Sequence, residues 1–296
     1  MNQIPKTRDA AFPFDYRRFD APLGAETRTL DLARPLDDDT FAAVRRAFLA
    51  SEGVLVFRDQ HITPEQHIEF SGRFGPLMIH VLKQYLLPDH PEILIVSNVM
   101  ENGKPVGLGD AGRLWHSDLS YAPEPSLGSL LHAQELPGEG GDTSFANMTL
   151  AYETLPADMK RRIEGKRAVH SYQNSYDRFV EKGSVFRPPL TEAQKAVVKE
   201  VVHPVVRIHP ETGRKALFVN ESFTSRILDL PEAEGRELLA LLFEHSTQPR
   251  FHYRHHWQPF DLLFWDNRCT MHLAHGCPPH LRRQMYRTTV QGDAPY

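Results

Sequence analysis

The sequence predicts a mostly β protein, a sandwich or jelly roll with helices outside its sheets. Three observations lead there. Short apolar or alternating runs recur at regular intervals after about residue 90, as the strands of a sandwich do. Helical periodicity falls in segments set apart from those runs. The chain also carries 23 prolines in 296 residues, which suits short elements joined by ordered loops better than a helical bundle.

Taken in order, Asp37 to Ser51 reads as a helix. Asp37, Asp38, Asp39 and Thr40 offer N-caps and a negative first turn, and Phe41, Val44, Phe48 and Leu49 recur at helical spacing. Gly53 ends it, and residues 54–59 (VLVFRD) read as a buried strand. A second helix starts after Thr63, with Pro64 at its first position and Gln66 completing a capping box. Its apolar face takes in Ile68, Phe70 and Phe74. Strands follow at 93–99 and 126–136. Helices are expected over Thr149 to Glu164 and Glu192 to Lys199. Residues 201–210 and 215–220 read as a hairpin around Glu211–Thr212–Gly213. A helix over Glu232 to His245 precedes three closing strands at 250–257, 262–266 and 283–290. The aromatic segment 171–190, with its Gly and Pro-Pro, reads as a loop, either an active-site lid or a surface connection.

No repeat or linker-like stretch divides the chain, so residues 1–296 read as one domain. Hydrophobic residues make up 41% and charged residues 24%, as in ordinary soluble proteins. The net charge of -4 argues against a sequence-independent nucleic-acid binder, which is normally basic. The two cysteines, Cys269 and Cys277, cannot build a disulfide framework. The N-terminus lacks the apolar core of a signal peptide, and no run approaches the ~20 apolar residues of a membrane span. A cytoplasmic enzyme is expected, with no nucleic-acid or membrane partner; assembly into a homo-oligomer stays open.

His116-Ser117-Asp118 is the first motif that carries chemistry. Non-haem Fe(II) oxygenases hold their metal with two histidines and one carboxylate on one face of an octahedron, leaving the other face open. On an extended segment residues i and i+2 point the same way, so H-x-D can deliver an imidazole and a carboxylate together. His67-Ile68-Glu69 competes, but it lies in the capped helix, where i and i+2 are about 200° apart. It reads as solvated helix surface. Two further segments complete the pattern: Trp265-Asp266-Asn267-Arg268-Cys269-Thr270-Met271-His272, and Arg283-Gln284-Met285-Tyr286-Arg287.

Together with Gly140-Gly141-Asp142-Thr143, these motifs resemble the taurine dioxygenase family, which includes the dioxygenases of aryloxyalkanoate herbicides. The resemblance runs from about Ile62 to Gln291. It implies a double-stranded β-helix, or jelly-roll, core and an Fe(II)- and 2-oxoglutarate-dependent dioxygenase that consumes O2. His116, Asp118 and His272 would hold iron, and Thr143 and Arg283 the distal carboxylate of 2-oxoglutarate. Arg287 would face an acidic group of the substrate. The family's substrate-side histidine follows R-F-G-x-L, and Arg73-Phe74-Gly75-Pro76-Leu77 here leads to His80. Lys83 stands where the taurine enzymes commonly carry an aromatic residue. That departure speaks against taurine itself and offers either a second cation or a surface lysine.

Elementary chemistry agrees with these roles. A guanidinium can pair both oxygens of a carboxylate. Arg283 and Arg287 are an even number of residues apart and share one strand face, whereas Arg282 points away. His275 rivals His272 as distal ligand, and His280 does so more weakly. His203, His209, His245, His252, His255 and His256 read as structural. The substrate reads as a small anionic organic molecule: a sulfonate, a sulfate ester, or an aryloxy or other carboxylic acid, whose hydroxylated product can fragment. Two other classes stay open, a zinc metallohydrolase using the same triad and a jelly-roll binding protein without catalysis. The arginine pair argues against the first, the intact ligand set against the second.

Overall fold

The computed structural model describes residues 12–181 and 184–296. Its frame is an eight-stranded sheet. The strand order is Arg17–Arg18, Ala25–Thr27, Val54–Phe57, Leu262–Asp266, Ser126–Glu135, Gln284–Gln291, His90–Ser97 and Leu86–Leu87. Only the Ala25–Thr27 and Val54–Phe57 pair is parallel. A second sheet has three antiparallel strands, His252–His255, Thr143–Asn147 and Thr270–Ala274, in that order.

The two sheets face one another across a shared core. Val54, Val56, Leu131, Leu263, Trp265 and Met285 from the large sheet are buried together with Phe145 from the small one. The strand Val54–Phe57 shows why so many of its residues are apolar. Val54 and Val56 point into the sandwich, while Leu55 and Phe57 point the other way, into a cluster with Phe41, Val44, Phe48 and Phe70 of two helices. A strand covered on both faces has no polar side to present. The outer face of the small sheet is covered in turn. Ala146 and Met271 pack with Ala151, Leu238 and Leu242.

Those first helices form where the caps place them. Helix Asp38–Ala50 starts at Asp37, whose carboxylate accepts the Thr40 N–H at 2.7 Å. Helix Pro64–Gly72 has the full capping box, with Thr63 and Gln66 bonded reciprocally at 2.8 and 3.3 Å. Capping a first turn satisfies amides that have no partner inside the helix.

Several expectations need correction. The helix read over 149–164 is two, Met148–Glu153 and Ala157–Ile163, parted at Pro156, whose ring cannot continue the hydrogen-bond ladder. The segment read as a loop at 171–190 contains helix Tyr172–Glu181. Its Tyr172 and Tyr176, one turn apart, are both buried. The hairpin forms between Val206–Ile208 and Lys215–Leu217, but Val201–Pro204 pairs instead with Arg167–His170. His67 is not solvated surface. It is buried, with Nε2 on the Thr288 hydroxyl at 3.2 Å, while Glu69 on the opposite side is exposed. The reading of the N-terminus falls mostly on residues 1–11, outside those described. Among the described residues no helix is long and apolar enough to cross a membrane.

His67 makes stability depend on pH. Burial, and then the neighbouring His132, pushes its imidazole from 6.5 down to about 3. The folded protein keeps it neutral, whereas the unfolded chain takes up a proton below 6.5, so its contribution is full above 6.5 and is lost as pH falls toward 3. Urea midpoints measured across that window should fall with pH. In His67→Gln, which can still bond Thr288, they should fall less steeply; an unchanged slope would show that His67 is not a source of the effect.

Candidate metal and co-substrate site

The site is built on one pair of residues. Strand Thr270–Ala274 pairs on one side with Thr143–Asn147. Its other side receives the segment ahead of Asp118. The His116 N–H donates to His272 O at 3.1 Å, and the His272 N–H to His116 O at 2.8 Å. The Ala274 N–H donates to Gly112 O at 2.8 Å, extending the pairing. Residues directly opposite in an antiparallel pair send their side chains to the same face, and the two imidazole centroids lie 4.0 Å apart. Asp118, two residues on, returns to that face. Its Oδ1 is 3.7 Å from His116 Nε2 and its Oδ2 3.9 Å from His272 Nε2. All three side chains are buried, and their ligand atoms lie within 4.8 Å of one another.

The W-D-N-R motif braces this cluster. Asn267 Oδ1 accepts the Asp118 backbone N–H at 3.0 Å and the Trp265 indole N–H at 3.0 Å. Its amide nitrogen donates to Ser126 and Ser129, and the Ser129 hydroxyl donates to Asp118 Oδ2 at 2.7 Å. The Ser117 hydroxyl donates to Thr270 O. His116 Nδ1 meets Leu114 O at 2.9 Å. A carbonyl only accepts, so Nδ1 carries the proton and Nε2 keeps its lone pair for the cluster. Burial alone would raise the Asp118 carboxyl, but Arg287, followed by His272 and His116, outweighs it and holds the group well below the usual carboxylate range. Burial first, then His116, keeps His272 well below an ordinary histidine. The result is two imidazoles and one carboxylate converging in a buried cluster, a set suited to a first-row divalent metal.

Two arginines stand beside it. Arg287 donates from Nη1 to Asp118 Oδ1 at 2.9 Å, and its Nε has no partner among the described residues. Arg283 donates from Nε to Gly141 O at 3.2 Å. Thr143 lies near: the Trp257 indole donates to its hydroxyl at 3.1 Å, and the Arg283 guanidinium lies 5.9 Å from the Trp257 ring centre. His80 lines a cavity of about 510 Å3, its open mouth included, together with His116, Asp118 and Arg287. His80 Nδ1 accepts the Leu82 N–H at 3.1 Å, so Nε2 bears the proton. Burial, ahead of Arg287 and Arg187, pushes His80 down to about 3, which leaves it a neutral hydrogen-bond donor.

The remaining candidates lie elsewhere. Lys83 is exposed on a short turn, Lys83–Tyr85, and does not line the cavity. His275 is exposed and bonded to the Ser144 hydroxyl at 2.7 Å, and His280 is exposed. His203, His209, His245 and His255 each bond a carbonyl or carboxylate, and His256 is exposed beside Asp142. Arg282 pairs with Glu135 outside the site. The sequence reading missed two cavity-lining cations, Arg113 and Arg187. Arg113 stands three residues ahead of His116, outside the motif, and Arg187 lies far from it in sequence.

The model of the family described as "Taurine catabolism dioxygenase TauD, TfdA family" matches residues 15–289. The chain belongs to that family. It is 38% identical over 283 residues to the alpha-ketoglutarate-dependent 2,4-dichlorophenoxyacetate dioxygenase of Cupriavidus pinatubonensis, covering 92% of this chain and 96% of the relative. Pentalenolactone F synthase of Streptomyces arenae is 35% identical over 283 residues, covering 93% and 94%. Among solved structures, that of AAD-2 in complex with Mn(II) and N-oxalylglycine superposes with a TM-score of 0.80 at 35% identity, covering 95% of this chain and 99% of the other. The chain is thus an oxidoreductase, an alpha-ketoglutarate-dependent dioxygenase whose chemistry uses Fe(II), 2-oxoglutarate and O2.

A second buried group, His209, Asp266 and Cys269, also has metal-ligand spacing. Its acceptors are already engaged. Asp266 takes hydrogen bonds from the Arg268 guanidinium and backbone and from His209. Arg268 also reaches Glu211 at 2.8 Å. This is an ion-pair knot that anchors the turn between the Leu262–Asp266 and Thr270–Ala274 strands. Arg268→Ala leaves a buried carboxylate uncompensated and should cost on the order of 3–5 kcal/mol in chemical denaturation. Chelators should not mimic that loss. A change below about 1 kcal/mol, or a chelator that destabilises the native protein as much as Arg268→Ala does, would count against the structural reading.

Proposed function

We propose that this chain hydroxylates a small carboxylic acid that carries an aryloxy or other ring-bearing body. In this reading residues 1–296 form a single cytoplasmic enzyme domain, and the two facing sheets are the halves of a double-stranded β-helix. The observation that supports the substrate class is the cavity wall. The neutral His80 and the unpartnered Nε of Arg287 offer hydrogen bonds for an acid group, and Tyr121, Phe179 and Phe223 line the same space. Aromatic walls suit a flat apolar body. The resemblance to a dioxygenase of 2,4-dichlorophenoxyacetate points the same way.

His116, Asp118 and His272 would hold Fe(II); the donor set fits, because two imidazoles and a carboxylate meet in one buried cluster. When bound, iron with 2-oxoglutarate and oxygen supplies the oxidation of a substrate C–H bond, with 2-oxoglutarate leaving as succinate and CO2. The chain's own contribution is positioning. Arg283 and Thr143 would take the distal carboxylate of 2-oxoglutarate; among the described residues the buried Arg283 guanidinium donates only its Nε, to Gly141, and so has a fork free for an anion. Ser129 and Asn267 hold Asp118 in place. Arg287, one hydrogen bond from Asp118, would keep the substrate's acid group beside the metal ligands. Hydroxylation of a carbon that bears an ether oxygen gives a hemiacetal, which then breaks its C–O bond.

Succinate formation from aryloxy acids should require both Fe(II) and 2-oxoglutarate. Alanine at His116, Asp118 or His272 should abolish it. Activity kept in His272→Ala but lost in His275→Ala would show the distal ligand to be misassigned, and full turnover with zinc and no 2-oxoglutarate would sink the oxygenase reading.

The two arginines should separate in steady-state kinetics. Loss of a charge-assisted pair in a desolvated site costs on the order of 2–5 kcal/mol, so Arg283→Ala should raise the KM for 2-oxoglutarate by tens-fold or more. Thr143→Ala should do less, near the roughly 1 kcal/mol of a neutral hydrogen bond. Arg287→Ala should instead raise the KM for the acid substrate and leave that for 2-oxoglutarate near its native value. If both variants raise the same constant, the division of labour is wrong. A neutral ester turned over as well as its parent acid would refute the anionic-substrate assignment.

A further inference from the structure

A second cavity opens beside the metal cluster, and Arg283, Arg113, Asn98, Gly276 and Cys277 are among the residues that line it. None of the three candidate metal ligands lines it. Arg113 and Ala111 also line the larger cavity, so Arg113 stands on the wall where the two meet. Arg283 is buried and Arg113 is exposed, which puts Arg283 at the inner end and Arg113 at the mouth.

Each guanidinium rests on a glycine. A Cβ added to Gly276 would overlap the Arg113 guanidinium, and one added to Gly141 would stand 3.1 Å from Arg283 Cδ and 3.2 Å from its Nε. Both glycines have positive φ, 74° and 78°, which other residues rarely adopt. They are bonded to each other, the Gly141 N–H donating to Gly276 O at 2.6 Å, and Gly141 O in turn accepts Arg283 Nε. One linked pair of glycines therefore seats two cations against one cavity.

Among the described residues neither Arg113 nor Arg283 forms an ion pair. The nearby Asp142 is taken up by Arg254 at 2.7 Å and His256 at 2.9 Å. Burial pushes Arg283 down to about 10; the Arg113 charge adds to the shift, while Cys277 and Asp142 oppose it. Two cations on one cavity, neither in an ion pair among the described residues, make an unfavourable arrangement that an anion would relieve.

We propose that Arg113 is a second cation for the carboxylate of 2-oxoglutarate that enters this cavity, and that it sets the preference for a dicarboxylic over a monocarboxylic 2-oxo acid. The inference rests on the reading that Arg283 anchors the same carboxylate. Arg113 is then a specificity-determining residue that the metal and arginine motifs do not include. Its planar fork can share one carboxylate with Arg283, each guanidinium taking one oxygen or one lone pair.

The test is calorimetric binding to the Mn(II)-loaded protein, with no turnover. The ligands are 2-oxoglutarate and 2-oxopentanoate, which has a methyl group in place of the distal carboxylate. Arg113→Gln should bind 2-oxoglutarate about fivefold more weakly, as expected for a partly exposed pair, and 2-oxopentanoate as the native protein does. Arg113→Lys should recover part of the loss, and raising the salt concentration should narrow the gap between native and Arg113→Gln protein. Native affinity for 2-oxoglutarate in Arg113→Gln overturns the proposal, and so does an equal loss for both ligands. A native protein that binds the two ligands equally well contradicts the Arg283 assignment instead, so the two failures are distinguishable.

Discussion

Two backbone hydrogen bonds between His116 and His272 hold together residues 156 positions apart in the chain. Much of the site follows from that pairing. It sets two imidazoles side by side without asking either side chain to reach, and it aligns the segment so that Asp118 returns to the same face. The fold's task is to keep that pairing dry and in register. The small sheet does so from one side through Thr143–Asn147, and the large sheet does so from the other through Ser129 and Asn267. Buried polar groups are tolerable here because nearly every one has a partner. Among the described residues, exceptions at the site include His272 Nδ1 and Arg287 Nε.

Electrostatics divides the site into zones. Around Asp118 the charges balance: one carboxylate is hydrogen-bonded to one guanidinium. Around Arg283 they do not, since among the described residues no carboxylate pairs with it and the nearby Asp142 is held by Arg254. A polar protein interior normally avoids that imbalance. Its presence next to a converging ligand set distinguishes this cluster from the Asp266 knot, where Arg268 and His209 bond the carboxylate and Arg268 bonds Glu211 as well. The same residue types thus serve a site in one place and a brace in the other, and the difference lies in what remains unpaired.

The sequence made much of this legible, for reasons that differ by residue. The helices at 38–50 and 64–72 announced themselves through Asp37, Thr63, Pro64 and Gln66, because caps are local chemistry. His116 and Asp118 were legible because alternation in an extended segment is a local rule, and His272 because it closes a longer motif. Strands Thr143–Asn147 and Thr270–Ala274 were not read as strands: TSFAN and TMHLA are short, and their strand character comes from pairing with each other. Helix Tyr172–Glu181 was hidden by the glycine and prolines that follow it. His67 was placed on a helix correctly and on the wrong side of the solvent boundary, since only the tertiary packing puts Thr288 and His132 against it. Lys83 and Arg113 are a matched pair of lessons. Proximity to His80 in sequence did not bring Lys83 into the cavity, whereas Arg113 reaches it because Gly276, far along the chain, leaves room.

The central claim is that His116, Asp118 and His272 form one metal centre with an arginine-lined co-substrate site beside it. An anaerobic titration of the Fe(II)-loaded protein with 2-oxoglutarate, followed by the visible charge-transfer absorbance of the iron complex, tests it directly. The account expects the absorbance to saturate at one equivalent in the native protein, to persist in Arg287→Ala, and to vanish in His272→Ala. Full absorbance in His272→Ala, or none in the native protein, would contradict it.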